Sequence, residues 1–371
     1  MNPSMKLSQP KSARSINTAR VLSSLRLGEN LSKAELARLL ELNKVSVGEI
    51  VDSLLADGFV EELGKMEAVN GRKPTALKLV PSARYVLSVD IGRRNTSIAL
   101  CDMTANVVKF ERIPTIVDVK VEEFCVGIIK SCIRVMKLVD PQRILGVGVT
   151  VGGRISSDGG VVLECPYLPW RNIPLGDAFS QVLKLKAVVC NSTTALVAAE
   201  RFASYGSGLL DCVDPIMYLD WSDGFNLAFV EDGKVFGNCN RFGHLKVSST
   251  GLCWCGEIGC LEAVASAWAL SNSMDAHLKD LWDKVDDEVL ASLARGLVLS
   301  LQVVGSSRVV IGGEGSTIPD SKLDSLRGMC SGLVLERSNL GDKANMVAAA
   351  ESALDTWVYM TSLLEDVKGL L

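Results

Sequence analysis

The spacing of apolar positions divides the chain into a short helical head and a long alternating body. From about Ser15 to Gly58 the pattern is helical. Ile16, Val21, Leu22, Leu25 and Leu27 make one apolar stripe, and Gly28 ends it. Ser32 and Glu35 then form an S-x-x-E capping box that opens a short helix carrying Leu36, Leu39 and Leu40. After the turn Glu41-Leu42-Asn43, Asn43 N-caps a third helix with Val47, Ile50, Val51, Leu54 and Leu55 inward. Gly58 fits the C′ position of that helix. Two short helices joined by a tight turn predict a helix-turn-helix. Val60 to Leu63 and Ala76 to Val80 read as strands flanking Gly71-Arg72-Lys73-Pro74, a hairpin wing with a basic tip. The competing reading is a three-helix bundle packed on the next domain.

After Pro81 the pattern changes. Tyr85 to Gly92 predicts a strand, followed by a turn and a second strand over Thr96 to Cys101. An amphipathic helix carries Val121, Phe124, Ile128, Cys132 and Val135 at steps of three and four. The strand Ile144 to Val151 runs into a Gly-rich turn, and further helices are expected near 193–204, 261–279, 287–302 and 343–365. Strands alternating with helices predict an α/β domain. Its first turn joins strand to strand, unlike the strand–turn–helix of a dinucleotide fold. No repeat at a fixed period is evident. Residues 1–12 are polar and read as disordered. The expected domains are a winged helix-turn-helix over 1–80 and an α/β domain over 81–371.

Composition agrees with this division and removes other classes. A chain of 371 residues with 48% apolar and 22% charged residues holds two or three folded domains. The apolar stretch Gly296 to Ser307 is too short to span a bilayer, so no membrane partner is expected. The N-terminus shows no secretory signal. The net charge of −4 is uneven: residues 1–80 hold 12 Lys/Arg against 9 Asp/Glu, and the rest hold 27 against 34. A basic head on an acidic body hints at nucleic-acid binding at one end. The 11 cysteines are odd in number and mostly scattered through apolar runs, which fits free thiols in a reducing cytoplasm.

Three cysteines do cluster, in His244-x8-Cys253-x-Cys255-x4-Cys260. One imidazole and three thiols make a Cys₃His set for tetrahedral zinc. Gly256 and Gly259 free the loop to wrap a metal. All four coordination places are filled by protein, so the zinc would be structural. The alternative is three buried thiols and a core histidine.

The segment from Gly243-His244 through Cys253-Trp-Cys255-Gly-Glu-Ile-Gly-Cys260-Leu-Glu262 resembles the signature of the ROK family (repressors, open reading frames, kinases). The winged helix, the Gly-Arg-Lys-Pro wing, Asp90-Ile-Gly92, Gly152-Gly153, Pro166-Tyr-Leu-Pro-Trp170, the 191–200 segment and Ile311-Gly-Gly313 fall in family order. The resemblance covers nearly the whole chain. It implies a two-lobed actin-like ATPase fold behind the winged helix. The DNA-binding head places the chain beside the family's xylose and N-acetylglucosamine repressors, apart from its free-standing sugar kinases.

By the same resemblance, three elements of kinase chemistry are altered. The kinases use the Asp of an Asn-Asp pair as base; here Asn191 is followed by Ser192, which cannot usefully accept that proton. The first phosphate turn is Asp-x-Gly-Gly-Thr in kinases and Asp90-Ile91-Gly92-Arg93-Arg94 here. The second, Asp223-Gly224-Phe225-Asn226-Leu227-Ala228, keeps one glycine. These changes argue against phosphoryl transfer.

The resemblance also assigns Asn191, His244 and Glu262 to sugar hydroxyls, with His244 serving zinc through its other nitrogen. Asn191 could instead close a strand end, and Glu262 could be a helix-start carboxylate. Arg241 stands where the family has Glu, in Asn240-Arg241-Phe242-Gly243-His244. Either the ligand is anionic, a sugar acid or sugar phosphate, or Arg241 pairs with Glu262 and closes the pocket.

On the third helix, Lys44, Val45, Ser46, Gly48 and Glu49 are placed to face the major groove, although a carboxylate at Glu49 is repelled by phosphate. Arg72 and Lys73 of the wing, with Arg14 and Arg20, could contact phosphates or the minor groove. The alternative for each is a solvated surface charge. The expectation is a cytoplasmic transcriptional regulator, a homodimer or homotetramer on double-stranded operator DNA, with a sugar, sugar acid or sugar phosphate effector. Its rivals are a ROK sugar kinase with an added DNA-binding module, and a ligand-independent DNA-binding protein.

Overall fold

The computed structural model describes residues 13–28, 30–65, 74–117, 119–203, 215–231, 234–239, 241–273 and 276–359. Residues 1–12 and the wing tip with Arg72 and Lys73 lie outside them. The chain forms two compact units. One runs to Arg84 and takes in the chain from Leu354 onward; the other is Tyr85–Ala353.

In the first unit, α1 (Ala13–Leu27), α2 (Lys33–Leu39) and α3 (Lys44–Ala56) precede the antiparallel pair β1 (Val60–Lys65) and β2 (Thr75–Leu79). The capping box at α2 is complete. The Ser32 side chain accepts from Glu35 N, and Glu35 accepts from Ser32 N at 2.8 Å. At α3, Asn43 Oδ1 accepts from Val45 N at 2.8 Å, and Gly58 follows the helix at φ 70°. These caps satisfy amides that would otherwise lack partners at the helix starts. The fully buried Val21, Leu36, Val47 and Val51 tie the three helices together. Late in the chain, the π-turn Asp355–Tyr359 joins this unit. Tyr359 is buried, with Arg26 of α1 4.8 Å over its ring.

The second unit repeats one topology. Its first half comprises β3 (Tyr85–Ile91), β4 (Asn95–Asp102), β5 (Val107–Pro114), α4 (Val121–Met136), β6 (Ile144–Val151), three short strands β7 (Arg154–Ile155), β8 (Val162–Glu164) and β9 (Arg171–Ile173), α5 (Leu175–Leu183), β10 (Lys186–Asn191) and α6 (Ser192–Ala203). The second half comprises β11 (Ile216–Trp221), β12 (Phe225–Glu231), β13 (Lys234–Cys239), α7 (Glu262–Ala265), α8 (Ala267–Ser271), α9 (Asp287–Val304), β14 (Arg308–Gly312), α10 (Asp320–Met329), β15 (Val334–Arg337) and α11 (Ala344–Leu354). The main sheets run β10-β6-β3-β4-β5 and β13-β12-β11-β14-β15. In each, the first strand is central, the next two add antiparallel on one side, and the last two add parallel on the other. The two halves share topology without a repeat visible in the sequence.

Central strands are covered on both faces and so read as continuous apolar runs. All seven residues of β3 and all six of β11 are buried. Each large apolar side chain buried there stabilises by about 1.5–3 kcal/mol. The polar exceptions are Ser88, which donates to Met346 O at 2.6 Å, and Asp90 and Asp220, near the ends of the two central strands, where both line the cleft between the sheets.

Two expected helices differ in the structure. The 261–279 helix is broken: Ser266 is extended (φ −77°, ψ 159°) and N-caps α8 through Ala269 N, and Asn272 ends α8 in the left-handed region. A serine that caps competes with helix continuation. The last helix stops at Leu354 and passes into the π-turn; residues 360–365 lie outside those described.

Candidate functional site

The chain from Arg241 makes a tight turn, Phe242–His244, that aims the imidazole at the cysteine loop. His244 Nδ1 lies 3.6 Å from Cys253 Sγ, and Cys255 Sγ lies 3.7 Å from Cys260 Sγ. The four donor atoms all lie within 4.8 Å of one another. Donors on a tetrahedron with metal–sulfur bonds of about 2.3 Å stand about 3.8 Å apart, so the set can hold a metal ion. Gly256 (φ 88°) and Gly259 (φ 80°) supply the left-handed turns of the loop, and a Cβ on Gly259 would meet Ser248 O at 1.9 Å. Lys246 Nζ sits 3.6 Å from Cys260 Sγ and donates to Ile258 O at 2.9 Å, bracing the loop.

The other imidazole nitrogen, Nε2, faces Glu262 Oε2 at 3.9 Å. Burial, with Arg241 and Lys246 nearby, lowers the His244 pKa and keeps the ring neutral. Glu262 begins α7 and is buried; burial raises its pKa, opposed by Trp254 and Arg93. Its carboxylate lies against Gly224, where a Cβ would meet Oε1 at 2.7 Å.

Glu262 and His244 form one wall of a cavity of about 160 Å³ between the two sheets. Arg93, Tyr167, Ser192, Asp220 and Asp223 form others. The Tyr167 hydroxyl accepts from Gly152 N and donates to Ile91 O, each at 2.7 Å, and so ties two cleft turns together. Ser192 occupies the first position of α6 on this wall.

A second cavity, of about 200 Å³, adjoins the first and shares Asp90, Arg93, Asp223 and Asn345 with it. Asp90 accepts from Thr150 Oγ1 at 2.8 Å and from Asn345 Nδ2 at 3.2 Å. Burial pushes its pKa up to about 6. Asp220, equivalent to Asp90 in the repeated topology, accepts from Ser222 Oγ at 2.8 Å and is likewise pushed up to about 6 by burial. Arg94 reaches across this cleft. Its Nη2 lies 2.5 Å from Asp223 Oδ1, 3.2 Å from Glu314 Oε1 and 3.0 Å from His277 Nδ1, and its Nη1 donates to Ala276 O. Glu314 also accepts from Leu278 N at 2.6 Å. The β3–β4 turn is thus fastened to the opposite sheet by a nearly buried guanidinium.

Of the residues expected at the ligand, the structure brings His244 and Glu262 together on one wall. Asn191 lies at the end of β10. Its Nδ2 donates to Gly153 O at 2.8 Å and its Oδ1 accepts from Thr194 N at 3.1 Å. Arg241 is exposed and makes no ion pair with Glu262 among the described residues. Arg93 is the cation that acts on Glu262 from within the cavity. In sequence Arg93 reads as a departure from a glycine; the carboxylate it acts on lies about 170 residues away, which spacing cannot reveal. Tyr167 reads in sequence as part of a motif.

In the first unit, Lys44, Val45, Ser46 and Glu49 are exposed on the first turns of α3. Glu49 faces Arg14 at 4.0 Å, so its charge is partly offset within the unit. Arg20 donates to Leu40 O at 2.9 Å, closing the end of α2.

The profile of the ROK family matches residues 86–353. The chain is 26% identical over 376 residues to the xylose repressor of Caldicellulosiruptor bescii, spanning 89% of this chain and 93% of that protein. Its fold is similar to that of a ROK family transcriptional regulator homologous to the E. coli MLC protein (TM-score 0.75, 22% identity, 95% of this chain and 99% of that one). It is also similar to a ROK family glucokinase from Streptomyces griseus in complex with glucose and AMPPNP (TM-score 0.60, 23% identity, 72% and 98%). No helix among the described residues is long and apolar enough to cross a membrane.

Proposed function

The chain belongs to the ROK family, and on that footing we propose that it is a DNA-binding transcriptional repressor of carbohydrate-utilisation genes, controlled by a sugar-type effector. The observation that carries the reading is the exposed start of α3, capped by Asn43, in a chain that also holds a sugar-kinase-like cleft. A third helix of this kind enters the major groove with its N-terminal side chains at base edges. Lys44 and Ser46 are its donors to bases or phosphates, and Val45 (68% exposed) can meet a thymine methyl. The wing residues Arg72 and Lys73 would add phosphate contacts. The protein would act in the cytoplasm as a homodimer or homotetramer, with two heads on half-sites about 34–36 Å apart.

In the cleft, Glu262 accepts from ligand hydroxyls and neutral His244 presents Nε2 to the same space. His244, Cys253, Cys255 and Cys260 fit structural zinc, which would fix the imidazole and hence the pocket wall. Two features support loss of kinase activity. Ser192 lines the wall where the family's base would stand, and Arg94 with its carboxylate partners fills the first phosphate turn. An effector that favours one arrangement of the lobes shifts operator affinity, with coupling of about 1–3 kcal/mol in such systems.

The test is a pull-down of genomic fragments by the full chain at near-physiological salt, against the double variant Lys44→Glu, Ser46→Glu. Both positions are exposed, so the fold is retained. A few promoter fragments enriched by the parent chain and lost in the variant are expected. Equal enrichment by both chains would refute the reading, and so would general, salt-labile binding with no preferred fragment.

A further inference from the structure

Three large apolar side chains stand exposed on the cysteine loop: Leu252 (69%), Trp254 (46%) and Ile258 (57%). Leu252 and Ile258 pair as an antiparallel bridge at the base of the loop. Of the three, only Trp254 lines the cavity that holds His244 and Glu262. Local structure places it there. Gly256 N donates to Cys253 O at 2.9 Å and Cys253 N donates to Glu257 O at 2.8 Å, so Trp254 is the first central residue of a tight turn. Its neighbours on both sides, Cys253 and Cys255, belong to the Cys₃His set, so a metal held there would pin that turn against the cavity. The indole also packs edge-on against the His244 ring, with centroids 5.2 Å apart and planes at 67°. An indole offers one donor and a broad apolar face. The donor is directed at the Glu262 carboxylate, where it opposes the effect of burial. The apolar face is what remains for a ligand.

We propose that Trp254 is an effector-binding residue that stacks on the C–H face of a pyranose whose hydroxyls are taken by Glu262. The same cavity supplies Asp220 and Asp223 as further acceptors. Acceptors beside a flat apolar surface match a ligand with hydroxyls around its edge and C–H bonds on its face. A pyranose has that form, and an extended polar chain does not. Covering a half-exposed indole removes apolar area from water, which rewards a ligand whose face is free of charge. Trp254 thereby sets specificity through the face of the ring, while Glu262 reads its edge. Two functions meet in one short loop: its cysteines fit a metal, and the residue between two of them contacts the effector. The inference rests on the sugar-effector reading above and adds the residue that reads the apolar side of the ligand.

The experiment is calorimetric titration of the full chain with xylose, glucose, galactose, mannose and N-acetylglucosamine. Saturable binding of at least one of these sugars is expected. Its affinity should fall about tenfold or more in Trp254→Ala, stay within about threefold of the parent in Trp254→Phe, and be unchanged in Leu252→Ala on the same loop. Phenylalanine keeps an aromatic face and lacks the indole N–H, so it separates stacking from the hydrogen bond to Glu262. A second readout is acrylamide quenching of tryptophan fluorescence. Saturating sugar should protect one tryptophan in the parent, and that protection should vanish in Trp254→Phe while the sugar still binds. This arm tests the contact even if Trp254→Ala disturbs the loop. Equal affinity in Trp254→Ala and the parent overturns the contact and leaves the sugar effector standing. Equal losses in the Ala and Phe variants overturn stacking and assign Trp254 to holding Glu262. No sugar bound by the parent overturns both the contact and the sugar-effector reading, and the promoter pull-down then decides the repressor reading alone.

Discussion

Replacing Asp220 by asparagine is expected to stabilise the second unit, by an amount that depends on pH. Asp220 is 9% exposed at the end of a central strand, and burial pushes its pKa up to about 6. The ordinary aspartate value is about 3.9, so the native state disfavours the charged form by roughly 3 kcal/mol. The sign follows from linkage. A carboxyl whose folded pKa is raised leaves the native state fully stable below about pH 4 and weakens it as pH rises through about 6. Asparagine keeps the acceptor that Ser222 Oγ uses at 2.8 Å and never ionises. The Asp220→Asn variant should therefore exceed the parent by up to about 3 kcal/mol at pH 8, by roughly half that at pH 5, and by little at pH 4. Urea unfolding at each pH, followed by tryptophan fluorescence, measures the difference; of the six tryptophans, Trp221 is fully buried beside the substituted residue. Differences between variant and parent cancel the titration of groups that do not interact with Asp220; Asp223, Asp90 and Glu314, which raise its pKa, titrate together with it. A gain that does not change with pH, or a loss at pH 8, would refute the argument.

Two further outcomes follow from the same cleft and its wall. Arg94→Met leaves Asp223 and Glu314 facing each other without their shared cation, and should destabilise the second unit by about 2–4 kcal/mol, read by the same urea titration; an unchanged midpoint would mean the cluster is solvated. Cys260→Ser should lower bound zinc, measured by elemental analysis of the purified chain, and speed protease cleavage within 248–260; full zinc content in this variant would exclude the Cys₃His assignment.

Local chemistry made the first unit legible. The Ser32–Glu35 box, the Asn43 cap and Gly58 each act within a few residues, and the structure has all three as expected. The buried strands β3 and β6 were equally plain, because a strand covered on both faces is mostly apolar, here interrupted only by Ser88, Asp90 and Thr150. The strands β5 and β11 to β13 were not singled out. β5 alternates irregularly at a sheet edge, with Val108 and Phe110 exposed, and its pattern resembles a loop. The doubled topology was hidden because only the order of strands repeats. In the site, the Cys₃His spacing and the wall residues His244 and Glu262 were visible in one segment. Arg93 and Arg94 were visible only as odd residues in a phosphate turn. Their partners, Asp223, Glu262, His277 and Glu314, come from turns and a helix of the other half of the unit, and no periodicity links them.

The return of the chain to α1 at Tyr359 bears on how the protein is made. Ala13 to Arg84 leave the ribosome first, yet the aromatic ring beneath Arg26 emerges only after the whole of Tyr85–Ala353. Domains generally fold as units during synthesis, N-terminal first. Here the head waits for the tail. A transcript ending prematurely anywhere before Tyr359 yields a chain whose α1 lacks that cover, so a broken message would give a poorly packed first unit. Synthesis through Tyr359 becomes a condition for a fully packed head.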